Sequence, residues 1–135
     1  MKDDVIINKI ETIKKCIKRI EEEYANTPSN LENYTKQDSI ILNLQRMCEV
    51  TLDLGLHYIK IKKLEIPQTS KQIFEVLEKN GVIDKKILIN MGKIIEVKNI
   101  AVSDNQNLNM DILQEIIEKN LDEFIYIVKR IESIG

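Results

Sequence analysis

Apolar residues recur along the chain in steps of four and three, the spacing of one face of an α-helix. The first such stretch runs through Ile6, Ile10, Ile13, Ile17, Ile20 and Tyr24, with Lys14, Lys15, Lys18, Arg19, Glu21, Glu22 and Glu23 on the other side. A narrow seam with a charged, solvated back predicts a surface helix. It should stop at Asn26-Thr27-Pro28-Ser29-Asn30, because proline disfavours helical geometry in the residue before it. A longer stretch follows Thr35-Lys36-Gln37-Asp38, whose spacing fits a capping box. One stripe runs through Ile40, Leu44, Met47, Thr51, Leu54, Tyr58 and Ile61, and a second through Ile41, Cys48, Leu52 and Ile59. Two adjacent stripes make a wide apolar face, so this helix is expected to be central and to touch several neighbours. Gly55 sits inside it at a cost of about 1 kcal/mol relative to alanine. Either the close approach of another helix backbone or simple tolerance would account for it.

Pro67 and a second capping box, Thr69-Ser70-Lys71-Gln72, predict a short helix with Ile73, Val76 and Leu77 inward. Asn80-Gly81 closes it as a left-handed C-terminal pair does. Asp84 is the expected N-cap of the next helix, which should bury Ile87, Leu88, Met91, Ile94 and Ile95 and carry Lys98 in its late turns. A polar run from Ser103 leads to Asn107 or Asn109, either of which can cap a last helix. Its seam is Leu113, Ile117, Phe124, Ile127, Ile131 and Ile134, with Asn120 as the one polar member, expected to have a partner in the core or at an interface. Four long helices, one short helix and short connections define an all-α, up-and-down antiparallel bundle. Residues 1–135 read as a single domain, without repeats or an inter-domain linker.

Composition agrees with that picture. With 4 Gly and 2 Pro in 135 residues there are few breaks available, and 43% hydrophobic residues suffice for a core. A net charge of −2 argues against a globally basic nucleic-acid binder while leaving room for a local basic patch. Cys16 and Cys48 fall in apolar helical patterns and read as buried, reduced thiols. One His and no Cys-x-x-Cys pair leave no basis for a zinc site, and no cofactor is expected. The amphipathic start is not a signal core, and no apolar run reaches the roughly 18 residues of a membrane span. A cytoplasmic protein with no membrane contact is the resulting expectation.

Four segments carry a family resemblance: Gln37-Asp38-Ser39-Ile40, Leu42-Asn43-Leu44-Gln45-Arg46-Met47-Cys48-Glu49, Ile66-Pro67-Gln68-Thr69-Ser70 and Asn99-Ile100-Ala101-Val102. Together they resemble the HepT-like toxins of the HEPN superfamily, over a span from about Ile6 to Ile131. The resemblance implies a helical-bundle, metal-independent endoribonuclease that dimerises with two motifs facing one cleft. It also implies a small nucleotidyltransferase as antitoxin partner, which in some systems adenylylates a motif tyrosine. The family motif is Arg-Asn-x-x-Val-His-x-Tyr. This chain matches it at Asn99 and Val102 and departs from it at three positions: Lys98 for arginine, Ser103 for histidine and Asn105 for tyrosine.

Each departure has a chemical meaning. Metal-free RNA cleavage needs a base for the 2′-hydroxyl and an acid for the leaving oxygen. Imidazole suits that task near neutral pH, whereas a serine hydroxyl needs another base to activate it. Lys98 keeps a positive charge for phosphate, though as a point charge and not a planar fork. It could equally be a cation that complements the end of its helix. Asn105 can bond RNA but offers no hydroxyl to modify. Ser103 and Asn105 thus read either as ordinary loop polars or as RNA-facing residues, and Asp104 either pairs with Lys98 or caps the loop. His57 is expected to be a partly buried helix histidine. Asp53 and Arg46 are expected to pair internally or to line a dimer cleft. The functional expectation is a HepT-like toxin with weak or lost nuclease activity, and the alternative is an inactive module that binds a nucleotidyltransferase antitoxin or RNA.

Overall fold

The computed structural model describes residues 3–103 and 107–134. Asp104 and Asn105, both named above, lie outside them. Among the described residues there are six α-helices: α1 (Asp3–Tyr24), α2 (Tyr34–Ile61), α3 (Ser70–Lys79), α4 (Lys85–Ser103), α5 (Met110–Lys119) and α6 (Asp122–Ile134). A 3-10 turn over Pro28–Glu32 joins α1 to α2 and buries Leu31. The all-α bundle expected from the apolar spacing is the fold found, and α2 is its axis, packed against α1, α3, α4 and α6. Both predicted stripes of α2 are buried as far as Ile59, while Ile61 emerges into solvent at 48% exposure. Thr51 fills its gap in the seam by donating its hydroxyl to the Met47 carbonyl at 2.9 Å.

The helix ends follow local chemistry. Thr69 accepts from the Gln72 amide at 3.2 Å, as a capping box requires. Gly81 has φ +78, and the amides of Gly81 and Val82 return to the carbonyls of Glu78 and Leu77. This is the Schellman arrangement, which satisfies two orphan carbonyls. Arg130 of α6 donates to the carbonyls of Gly81 and Val82 and ties that turn to the bundle. Asp84 accepts from the Ile87 amide at 2.8 Å, and Asn109 accepts from Asp111 and Ile112. The α2 cap differs from expectation. Asn33, not Thr35, accepts from the Lys36 amide at 3.1 Å, so the helix starts at Tyr34. The asparagine wins because it has the extended backbone of a cap (φ −82, ψ 116), and Thr35 is already inside the helix.

The last helix is also two helices and not one. α5 ends at Lys119 and α6 begins at Asp122. The break lets Leu121 turn inward, to 5% exposure, while Phe124, Ile127, Val128 and Ile131 are fully buried on α6. Asn120 has the partner expected of it: it donates to Glu123 at 2.6 Å, and the same carboxylate accepts from Asn90 of α4 at 2.9 Å. Gly55 meets side chains and not a helix backbone. A Cβ there would lie 3.0 Å from Ile73 Cγ2 and 3.2 Å from Leu77 Cδ1 of α3.

Candidate functional site

α4 is held to the core by Met91, Ile94, Ile95 and Val97, all buried. Its last turn and a half, residues 98–103, is less covered, with Ala101 still packed against the core. Lys98 is half-buried, and Asn99 and Ser103 are exposed. Together with Val102 they form one wall of a groove of about 580 Å³, whose other wall is Gln45 and Glu49 of α2. The structure thus brings together three of the four predicted site residues, Lys98, Asn99 and Ser103. Asn105 lies outside the described residues. Gln45 and Glu49 were missed as site residues, although their i, i+4 spacing on α2 puts them on one face.

The electrostatics can be read from the thiol beneath. Burial pushes Cys48 up to about 12, with Lys98 pulling it down and Glu49 pushing it further up. Lys98 and Glu49 thus both lie near enough to the Cys48 thiol to act on it, with opposite sign. Lys98 forms no ion pair among the described residues and is available to an anion. Ser103 donates its hydroxyl to the Asn99 carbonyl at 2.8 Å. A hydroxyl committed to its own helix is not poised as a nucleophile. Cys48 is protonated and buried, so it too is chemically silent. Burial likewise raises the Cys16 thiol, which lies near Arg46 and Arg19.

The other candidates lie elsewhere. His57 is exposed, not partly buried. It follows Glu49 on α2 by eight residues, roughly 12 Å along the axis. Asp53 and Arg46 are both exposed and make no ion pair among the described residues. Among the described residues no cluster of His, Cys, Asp or Glu could hold a metal ion, and no helix is long and apolar enough to cross a membrane.

The fold and the groove define a class: a helical bundle presenting a cation and an asparagine at the end of one helix, across from a carboxylate on the central helix. The family model for HepT-like ribonucleases matches residues 10–131, and the chain belongs to that family. It is 43% identical over 122 residues to the mRNA nuclease HepT of Shewanella oneidensis, covering 90% of this chain and 92% of that protein. Solved structures agree. A toxin–antitoxin complex with AMP-PNP superposes with a TM-score of 0.88 at 41% identity, over 97% of this chain and 99% of that one. The tri-AMPylated HEPN toxin of Shewanella oneidensis in complex with the MNT antitoxin gives the same TM-score and identity, over 98% of this chain and 99% of that one.

Proposed function

We propose that this chain is the toxin of a toxin–antitoxin pair, an RNA-binding HepT-like protein whose metal-free endoribonuclease activity is reduced. The observation that carries the reading is the groove itself, where Lys98 and Asn99 face Glu49 at the family's motif position. Lys98 binds a backbone phosphate, and Asn99 and Asn105 bond the flanking nucleotide. The proton acceptor that the groove offers is Glu49. In the proposed step its carboxylate takes the 2′-hydroxyl proton, the 2′-oxygen bonds to phosphorus, and the P–O5′ bond breaks. Water then protonates the leaving oxygen. A carboxylate is a weaker base than imidazole, which makes the step slow.

The partner in this reading is a small nucleotidyltransferase antitoxin, supported by the complexes in which the similar toxins were solved. Asn105 cannot accept an adenylyl group, so Ser103 is the nearest hydroxyl for any transfer. The chain works as a cytoplasmic homodimer with two grooves facing each other. Ile100 and Val102, exposed at 38% and 70% beside the groove, supply apolar surface for that contact. A monomer mass by light scattering at tens of micromolar would remove the dimer from the reading.

The test is cleavage of total RNA with chelator present. Ser103→His should raise the rate by about 10²–10⁴-fold, the usual contribution of a placed general base or acid. Adding Lys98→Arg should raise it further through bidentate phosphate binding, and adding Asn105→Tyr should chiefly restore a modification site. Glu49→Gln should abolish the residual activity of the unaltered chain. If the unaltered chain already cleaves as fast as the triple variant, the assignment of the groove fails. A second reading, an inactive module that only binds antitoxin or RNA, is favoured by the engagement of the Ser103 hydroxyl with Asn99. It takes over if the triple variant folds and dimerises but stays inert.

A further inference from the structure

At the far end of α2 the chain builds a second groove, of about 390 Å³, between the helix terminus and the segment leading to α3. Its lining is aliphatic, from Leu56, Ile59, Leu64, Ile66 and Pro67, with the exposed Lys60 and Lys63 beside them. Ile66 is 83% exposed, the highest value among the exposed large apolar side chains of the described residues. Neither lysine has an ion-pair partner among the described residues. The nearby carboxylate of Glu65 does not neutralise them, because Lys79 at 3.0 Å and Asn80 already hold it.

Lys63 adds an independent observation. It ends α2 in the left-handed region, at φ +55, with its amide bonded to the Lys60 carbonyl and that of Leu64 bonded to the Ile59 carbonyl. This is the position where glycine is favoured and a side chain is strained. At the end of α3 the equivalent position is Gly81. Ala25 and Asn26, just past α1, also lie in this region at φ 49 and 50, and the side chain of Lys63 borders the apolar groove.

We propose that this groove docks an acidic segment of a partner protein, its aliphatic side chains seated on Leu56, Leu64 and Ile66 and its carboxylates on Lys60 and Lys63. Charge complementarity selects the occupant: two unpaired cations stand beside an apolar lining on a chain whose net charge is −2. The lining holds no exposed aromatic ring on which a base could stack, and this disfavours RNA.

The probe is a fluorescein-labelled twelve-residue peptide alternating leucine and glutamate, added to the full-length protein and followed by anisotropy and amide chemical shifts. It should bind with shifts confined to residues 56–67, and a leucine–lysine peptide should not. Lys60→Glu with Lys63→Glu should weaken it about tenfold, as expected for two exposed pairs reversed. Lys63→Gly is the sharper variant, because it should raise the melting temperature and yet weaken the peptide. No binding, or shifts elsewhere, overturns the proposal. So does unchanged affinity in Lys63→Gly. Stronger engagement of the same residues by an RNA oligomer or by phosphatidylserine vesicles assigns the groove to that ligand. Concentration-dependent shifts there without peptide assign it to a second copy of the chain. Each of these results also refutes it.

Discussion

Replacing Gly55 with alanine sets two effects of known size against each other. Alanine in a helix interior gains about 1 kcal/mol over glycine. Against this, the new methyl would sit 3.0 Å from Ile73 Cγ2 and 3.2 Å from Leu77 Cδ1. Carbon atoms rest about 3.5–4.0 Å apart, so each neighbour must retreat by roughly half an ångström. Leu77 can do so, since Cδ1 is the far end of its side chain. Ile73 cannot do so cheaply, because Cγ2 branches at Cβ and the rotamer is stiff in a helix. The whole of α3 would have to shift, and overpacking of this kind costs about 1–3 kcal/mol. The expected net is a loss of about 1 kcal/mol, a fall in melting temperature of roughly 3–5 °C for a chain of this size. Ile73→Leu removes the branch at Cβ, so the double variant should recover most of that loss, with a coupling of about 1 kcal/mol. Urea midpoints of the four proteins measure it. If Gly55→Ala alone equals or exceeds the parent in stability, α3 yields freely and close packing is not why glycine stands there.

Two further outcomes follow from the shifted groups. Tyr24 donates to Glu118, and its phenol is pushed up to about 12 by burial first, then by that hydrogen bond and charge. Its folded-state value lies above the unfolded one, so the contribution is complete below about pH 10 and is lost as pH rises through 12. Denaturant midpoints should therefore fall less between pH 10 and 12 in Tyr24→Phe than in the parent, and equal slopes would refute the link. Cys16 and Cys48 should resist a disulfide-exchange reagent at pH 8 in the native protein and react when it is unfolded; rapid native labelling would show that the thiols are not buried as described.

The fold was legible where the signals are local. The caps at Thr69, Asp84 and Asn109 each bond a backbone amide two or three residues on, so the residue types reveal them. Asn33 was passed over because Thr35 satisfies the same residue rule two positions later, and only backbone conformation separates them. The break at Asn120 was hidden by arithmetic. Ile117 and Phe124 are seven residues apart, two helical turns, so the seam reads as continuous although the chain bends between them. Leu121, left off that seam and yet buried, was the available sign. For the groove, Asn99 was legible as a match to a motif and Lys98 and Ser103 as departures from it, whereas Gln45 and Glu49 belong to a helix some fifty residues earlier and are joined to them only by packing.

The placement of Lys98, Asn99 and Ser103 at half-buried and exposed positions of α4 separates inheritance of shape from inheritance of chemistry. Met91, Ile94, Ile95 and Val97 hold the helix, and none of them faces the groove. Exposed positions such as Asn99 and Ser103 can drift with folding changes within about 0.5 kcal/mol. A lineage can thus exchange an imidazole for a hydroxyl, or restore it, in a single substitution that selection on folding does not register.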